Sequence, residues 1–320
     1  MISRTPSLAI NSTTFQVTEF ILLGFPGFLR WQHWFSIPLT LFLLAAVVAN
    51  ITLVLAICRE QNLHEPMYYF LCKLAVVDLS LSMVTTPKIL VLLWFDATSI
   101  SLTGCFTQMF FVHWLVLTES GIFVAMAFDR YVAVCNPLRY HSIVNKCLVV
   151  KFILVIIGRS LAVALPVPFL AARLNYCSEQ IVKYSYCNNL AVTKLACDDI
   201  SLNSMYQLTV ANSVLGGDFL LICVSYCLIL HAVLQLNAVG AMAKAFSTCS
   251  SHVIVILISY SALIVIAITH ISDSEIMTCS AIILNVLLLI VPPALNPIVY
   301  GIRNKEINLG IRKRFSNLCC

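Results

Sequence analysis

Phe35–Cys58 reads FSIPLTLFLLAAVVANITLVLAIC, twenty-four residues without an Asp, Glu, Lys or Arg. At about 1.5 Å of rise per residue such a helix is longer than the roughly 30 Å hydrocarbon core of a bilayer. Six further apolar runs follow, at Tyr68–Leu93, Cys105–Cys135, Leu148–Ala171, Ser204–Leu236, His252–His270 and Thr278–Gly301. Several exceed the membrane thickness, which implies tilt or extension into the cytoplasm. Seven such runs predict an all-α membrane protein, a seven-transmembrane helix bundle.

Composition agrees. Of the 320 residues 60% are hydrophobic and 10% charged, and the mean hydropathy is +0.95. Soluble domains carry about 25% charged residues, so lipid is the expected solvent. The net charge of +5 is small and dispersed. With no basic run interleaved with aromatics, nucleic acid is excluded as a partner.

Charge asymmetry sets the direction of the chain. The first, third and fifth connections hold Arg59, Arg139, Lys146, Lys151 and Lys244, and the tail adds Arg303, Lys305, Arg312, Lys313 and Arg314. The second and sixth carry only Asp96, Asp273 and Glu275. The fourth is mixed, with Arg173, Lys183 and Lys194 against Glu179, Asp198 and Asp199. The basic side is expected to be cytoplasmic, with the N-terminus outside, as an odd number of spans requires. Residues 1–34 then form an extracellular arm, 35–301 the transmembrane domain, and 302–320 a short amphipathic eighth helix and tail. The first 30 residues show no apolar run after a basic start, so a later helix is expected to carry the arm across the membrane.

Asn11-Ser12-Thr13 is a glycosylation sequon in that arm, whereas Asn50-Ile51-Thr52 lies inside the first span. Cys105, Cys177, Cys187 and Cys197 face the oxidising side, where disulfides persist. Four cysteines allow three pairings, and spacing does not choose among them. Cys319 and Cys320 beside the basic tail are candidates for palmitoylation.

Four motifs then point to one family. Leu63–Leu71 reads LHEPMYYFL, Met126–Tyr140 MAFDRYVAVCNPLRY, Lys244–His252 KAFSTCSSH and Pro292–Tyr300 PPALNPIVY. Over about residues 20–315 the chain resembles the odorant receptors, rhodopsin-like G-protein-coupled receptors. The long fourth connection and FFVHW at Phe110–Trp114 resemble the fish-like class I branch.

The resemblance implies roles for particular residues. Asp129, Arg130 and Tyr131 close the third span, where an ionisable pair at membrane depth is expensive and rarely idle. Arg130 is expected to rearrange toward a heterotrimeric G protein of the stimulatory type, assisted by Tyr226 and Tyr300. Asn296-Pro297 removes a backbone hydrogen bond in the seventh span and makes a hinge. Asp78 and Glu119 lie mid-span with no cation a turn away, and two such carboxylates do not both ionise cheaply. The family places them in the bundle centre with Asn50. A sodium ion, a shared proton or a water network would each satisfy the pair. Arg159, mid-span in the fourth helix, needs a partner by the same argument. The family fold implies Cys105–Cys187, leaving Cys177–Cys197.

The odorant pocket of this fold maps onto His113, Val167, Asn203, Gln207, Ala211, Tyr260, Ala267, His270 and Ile271, with Asn189 and Leu190 from the loop above. Ile271 stands where acid-reading relatives are expected to carry a cation. A buried carboxylate needs one, so a neutral or weakly polar small molecule is expected. No cofactor beyond the sodium is implied. A transporter would show internal repeats or broken half-helices, and an enzyme a metal-ligand spacing, phosphate loop or nucleophile elbow. None of these is found in the sequence.

Overall fold

The computed structural model describes residues 17–24, 32–177, 180–235, 239–271, 278–303 and 306–309. At 32–33, 35, 239–248, 266–271, 278–282, 288 and 302–303 it describes the backbone alone. Among the described residues there are seven long helices: α1 (Gln32–Arg59), α2 (Pro66–Phe95), α3 (Leu102–Cys135), α4 (Lys146–Ala172), α5 (Ser201–Leu234), α6 (Val239–Ile271) and α7 (Thr278–Arg303). Six are long and apolar enough to cross a membrane by length and composition, and in α6, whose side chains are described only over 249–265, Cys249–Val265 form an apolar helix.

Local chemistry sets several boundaries. Pro66 begins α2, where its missing N–H would have had no partner anyway. The Ser101 hydroxyl accepts from the Gly104 N–H at 3.1 Å to cap α3, and the Asn145 side chain accepts from Leu148 at 2.9 Å to cap α4. Pro137 follows the end of α3, and a short helix at Tyr140–Ile143 turns the chain back beneath it. Within α4 the helix is interrupted at Leu165, ahead of Pro166. In α5, Ala211–Leu215 form a wide π turn.

α3 is the spine. It packs on α2, α4 and α5, while α1 packs on α2 and α7, and α6 on α7. Of its apolar window 61% is buried, against 17% in α5, whose outer face is left for lipid.

The arm before α1 is partly built into the bundle. A three-stranded sheet has the order β2–β1–β3, with β1 (Glu19–Leu22) antiparallel to β2 (Ser99–Ser101) and parallel to β3 (Ile181–Val182). Along β1 burial alternates, as a half-covered strand requires: Phe20 and Leu22 are fully buried while Glu19 and Ile21 are exposed. Phe20 packs edge-on against Tyr176 at 5.0 Å, closing the mouth of the bundle. Burial pushes the phenol of Tyr176 well above its ordinary pKa, in keeping with a dry lid. Gly24, at φ +70°, lets the chain turn against Leu92 as it leaves the strand.

The loop between α4 and α5 is fastened by Cys105–Cys187 and Cys177–Cys197, with Cα separations of 5.3 and 6.0 Å. At the opposite end Glu306–Leu309 are helical. The Tyr68 hydroxyl donates to Glu306 Oε2 at 2.6 Å, and Ile307 is fully buried. The remainder of the expected eighth helix, Cys319, Cys320 and the sequon Asn11 lie outside the described residues.

Candidate functional site

At the basic end of α3, Asp129 is fully buried and Arg130 nearly so. Arg130 Nε donates to Asp129 Oδ2 at 3.0 Å, and the Tyr140 hydroxyl donates to Asp129 Oδ1 at 2.7 Å. Burial, and next the Asp129 carboxylate, push the Tyr140 phenol far above its ordinary pKa, so it stays a donor at any working pH. Tyr131 packs beside Ile229, Val233 and Cys249. The hydroxyls of Tyr226 and Tyr300 are buried within electrostatic reach of Arg130. Among the described residues they have no hydrogen-bond partner. His252, which had not been singled out in the sequence, stacks edge-on against Tyr300 at 5.3 Å. The arrangement is a held arginine with two buried hydroxyl oxygens nearby that can accept from it.

Further into the membrane, Pro297 leaves the Pro293 carbonyl without its helical N–H. Asn50 Nδ2 donates to that carbonyl at 2.9 Å, so α1 satisfies the bond that α7 lacks. Asn296 Nδ2 donates to Asp78 Oδ2 at 3.0 Å, and Ser259 Oγ to Glu119 Oε1 at 3.2 Å. The two carboxyl groups are close enough to interact. Asn50 Oδ1, Asp78 Oδ1 and Asn296 Oδ1 are buried without a partner among the described residues. No group of three or more His, Cys, Asp or Glu side chains is arranged to hold a metal among those residues. A cavity of about 40 Å³ beside Glu119, Ser259 and Pro293 has room for about two or three waters.

One level out, the partner of Arg159 is Asp218, which sequence reasoning did not single out. The contact is bidentate, with Nη1–Oδ1 at 2.6 Å and Nη2–Oδ2 at 2.8 Å. Ser120 Oγ donates to Asp218 Oδ2 at 2.7 Å and shares a hydrogen bond of 2.9 Å with the Tyr260 hydroxyl. One polar chain thus joins α4, α5, α3 and α6. The π turn at Ala211–Leu215 adds a residue to α5 just before Asp218 and re-aims the following face. Gly121 makes room for the arginine: a Cβ there would lie 2.8 Å from Ile156 Cγ2 and 2.9 Å from Arg159 Nη2. Gly121→Ala is therefore expected to destabilise the protein by about 1–3 kcal/mol through overpacking. A thermal melt of the purified protein would show it as a lower midpoint.

The expected pocket residues are distributed over several levels. Asn189 Nδ2 donates to Gln207 Oε1, joining the loop to α5. Asn203 is buried, and Arg173 Nη2 reaches its Oδ1 at 3.5 Å. Asn189 Oδ1 and Asn203 Nδ2 have no partner among the described residues. Val167 is buried and Leu190 half-buried nearby. His113 is half-buried, its Nδ1 on the Met109 carbonyl at 2.8 Å. Tyr260 lies deeper, on Ser120, and Ala211 is exposed at the π turn. Ala267, His270 and Ile271 lie on α6, but their side chains are outside the described set.

Comparison with known proteins bears on this arrangement. The family model described as "Olfactory receptor" matches residues 39–318. The chain is 47% identical to olfactory receptor 56A4 of Homo sapiens over 308 residues, covering 96% of this chain and 98% of that one. It is 46% identical to olfactory receptor 56B34 of Mus musculus, covering 96% and 95%. Against olfactory receptor 52B2 of Homo sapiens it is 44% identical, covering 97% of each chain. A helical bundle with a buried Asp-Arg pair at one end, matched along nearly its whole length to these proteins, belongs to the olfactory receptor family of multi-pass G-protein-coupled receptors.

Proposed function

We propose that this receptor binds a small neutral or weakly polar odorant in the outer part of the bundle and activates a stimulatory, olfactory-type G protein, raising cyclic AMP. The N-terminus faces outward from the plasma membrane and the tail faces the cytoplasm, as the distribution of Lys and Arg supports. The observation that carries the signalling role is the held Arg130. Asp129, itself steadied by the Tyr140 hydroxyl, grips it at the basic end of α3, while Tyr226 and Tyr300 offer buried hydroxyl oxygens for a second position. Bistable elements of this kind let a ligand shift a population. The long loop and FFVHW favour the class I branch.

Amide groups near the loop, Asn189, Asn203 and Gln207, supply the polar contacts in otherwise apolar surroundings, as small-ligand sites commonly do. Gln207→Ala and His113→Ala are expected to weaken the response to a cognate ligand by up to about tenfold each, the worth of a hydrogen bond. Basal coupling should stay within a factor of two or so of wild type in a dose–response assay. In the bundle centre, three oxygens from Asn50, Asp78 and Asn296 that have no partner among the described residues form a set of hard donors. A structural sodium ion, ordered water or a proton shared with Glu119 would satisfy them.

One observation favours an acid-reading alternative. Arg173 lies beside Asn203 and could pair a carboxylate. A cyclic-AMP reporter screen of alcohols, ketones, esters, lactones and carboxylic acids separates the two. Responses to neutral odorants support the proposal. Strong responses only to carboxylates, abolished by Arg173→Ala, would overturn it.

A further inference from the structure

A groove of about 470 Å³ lies between α2, α3 and α4, apart from the polar chain and the outer pocket. Its walls include Met83 of α2, Phe111 and Trp114 of α3, and Ile153 and Ile157 of α4. Val76 and Met83 are about half exposed, so the groove opens to the outside of the bundle, where the solvent is lipid. The hydroxyls of Ser80 and Thr118 turn back onto the carbonyls of Val76 and Trp114, at 2.8 and 2.7 Å. They leave little polar surface to a ligand.

Among the described residues the charged side chain lining the groove is Lys73, at the end nearest the basic face. From Lys73 to Val84 the groove follows eleven residues of α2, about 16 Å at the helical rise. That is about half of the roughly 30 Å hydrocarbon core, the depth of one leaflet. Below its mouth, Lys146 lies seven residues before Ile153, two turns along the same face of α4. Lys73 and Lys146 are exposed, and among the described residues neither forms an ion pair.

We propose that this groove is a binding site for an anionic phospholipid of the cytoplasmic leaflet. One acyl chain lies along Val76, Met83, Phe111 and Ile157, and the phosphate headgroup meets Lys73 and Lys146. An apolar trough of one-leaflet depth selects a chain, and the two ammonium groups toward its basic end select a negative headgroup over a zwitterionic one. The assignment to the cytoplasmic leaflet rests on the orientation proposed above. The headgroup preference itself does not.

The test is native mass spectrometry of the full-length receptor released from nanodiscs holding phosphatidylcholine, phosphatidylserine and cholesterol. Both leaflets of a nanodisc have the same composition, so the result is independent of which way the chain faces in a cell. Orientation is read separately, by antibody access to an N-terminal tag on intact cells. Retained phosphatidylserine is expected to be enriched over phosphatidylcholine. Lys73→Gln and Lys146→Gln should each reduce that enrichment about fivefold. Lys151→Gln, on the opposite side of α4, should leave it unchanged. Met83→Trp, which fills the groove, should lower retention without altering the thermal midpoint by more than a few degrees. Enrichment that survives both lysine changes, or cholesterol retained in place of phospholipid, would overturn the proposal.

Discussion

Asp218→Leu is expected to remove most of the receptor from the cell surface, and Asp218→Leu with Arg159→Met to restore much of it. Asp218 is 4% exposed and Arg159 33%. The exposed third of Arg159 lies in a span whose surroundings are lipid, so water does not take the place of a lost carboxylate. Breaking one side of such a pair leaves an uncompensated charge and costs about 3–5 kcal/mol. Against total stabilities of roughly 5–15 kcal/mol that is a large fraction. Replacing both partners with apolar side chains removes the charge and is often close to neutral. Surface staining and a thermal melt of the four proteins in the cycle would give the coupling directly. A single variant as stable as wild type would show that the pair holds nothing together. The double variant also severs Ser120 from Asp218, so its signalling reports whether the α3–α6 contact through Tyr260 stands alone.

Asp218 shows why this part of the site was hidden in the sequence. Its run, Ser204–Leu236, reads as one apolar span, and a single acid does not change that assignment. Its partner is 59 residues away on another helix. Only packing brings the two together, and the π turn that sets the facing side of α5 has no composition signal. A mid-span Arg and a mid-span Asp were nevertheless available to be matched, and the match would have named the missing partner.

The spans were legible because an apolar run of 20 or more residues has few alternatives. Their ends were less so. The sixth apolar run begins at His252, whereas α6 begins at Val239. The intervening AMAKAFSTCSS is too polar to count as lipid-facing, yet Ala, Met and Lys propagate a helix readily. A hydropathy criterion finds the buried part of a helix, not its length. Similarly, α1 starts at Gln32 and α2 at Pro66, both ahead of the first apolar residue counted. β1 left almost no trace, since four residues, EFIL, gain strand character only from partners about 80 and 160 residues away. The bond from Asn50 to the Pro293 carbonyl was implied by Pro297, but which helix supplied it was not.

Arg130 carries the second large effect. Its guanidinium is buried to all but 11%, and its only described carboxylate partner is Asp129. Removing the guanidinium deletes the group that would change partners on activation, so ligand-driven signalling should fall to background. Asp129→Asn should act in the opposite direction. It keeps Arg130 but loosens the grip, and a charged hydrogen bond worth about 1.5–3 kcal/mol would raise basal signalling roughly tenfold or more. Opposite signs from adjacent residues exclude general unfolding as the cause.

The most direct measurement is a cyclic-AMP dose–response of wild type, Arg130→Ala and Asp129→Asn at matched surface expression, using an agonist from the odorant screen. The account predicts a saturable wild-type response, a flat line for Arg130→Ala, and a raised baseline for Asp129→Asn. A normal response from Arg130→Ala at normal surface density would contradict it.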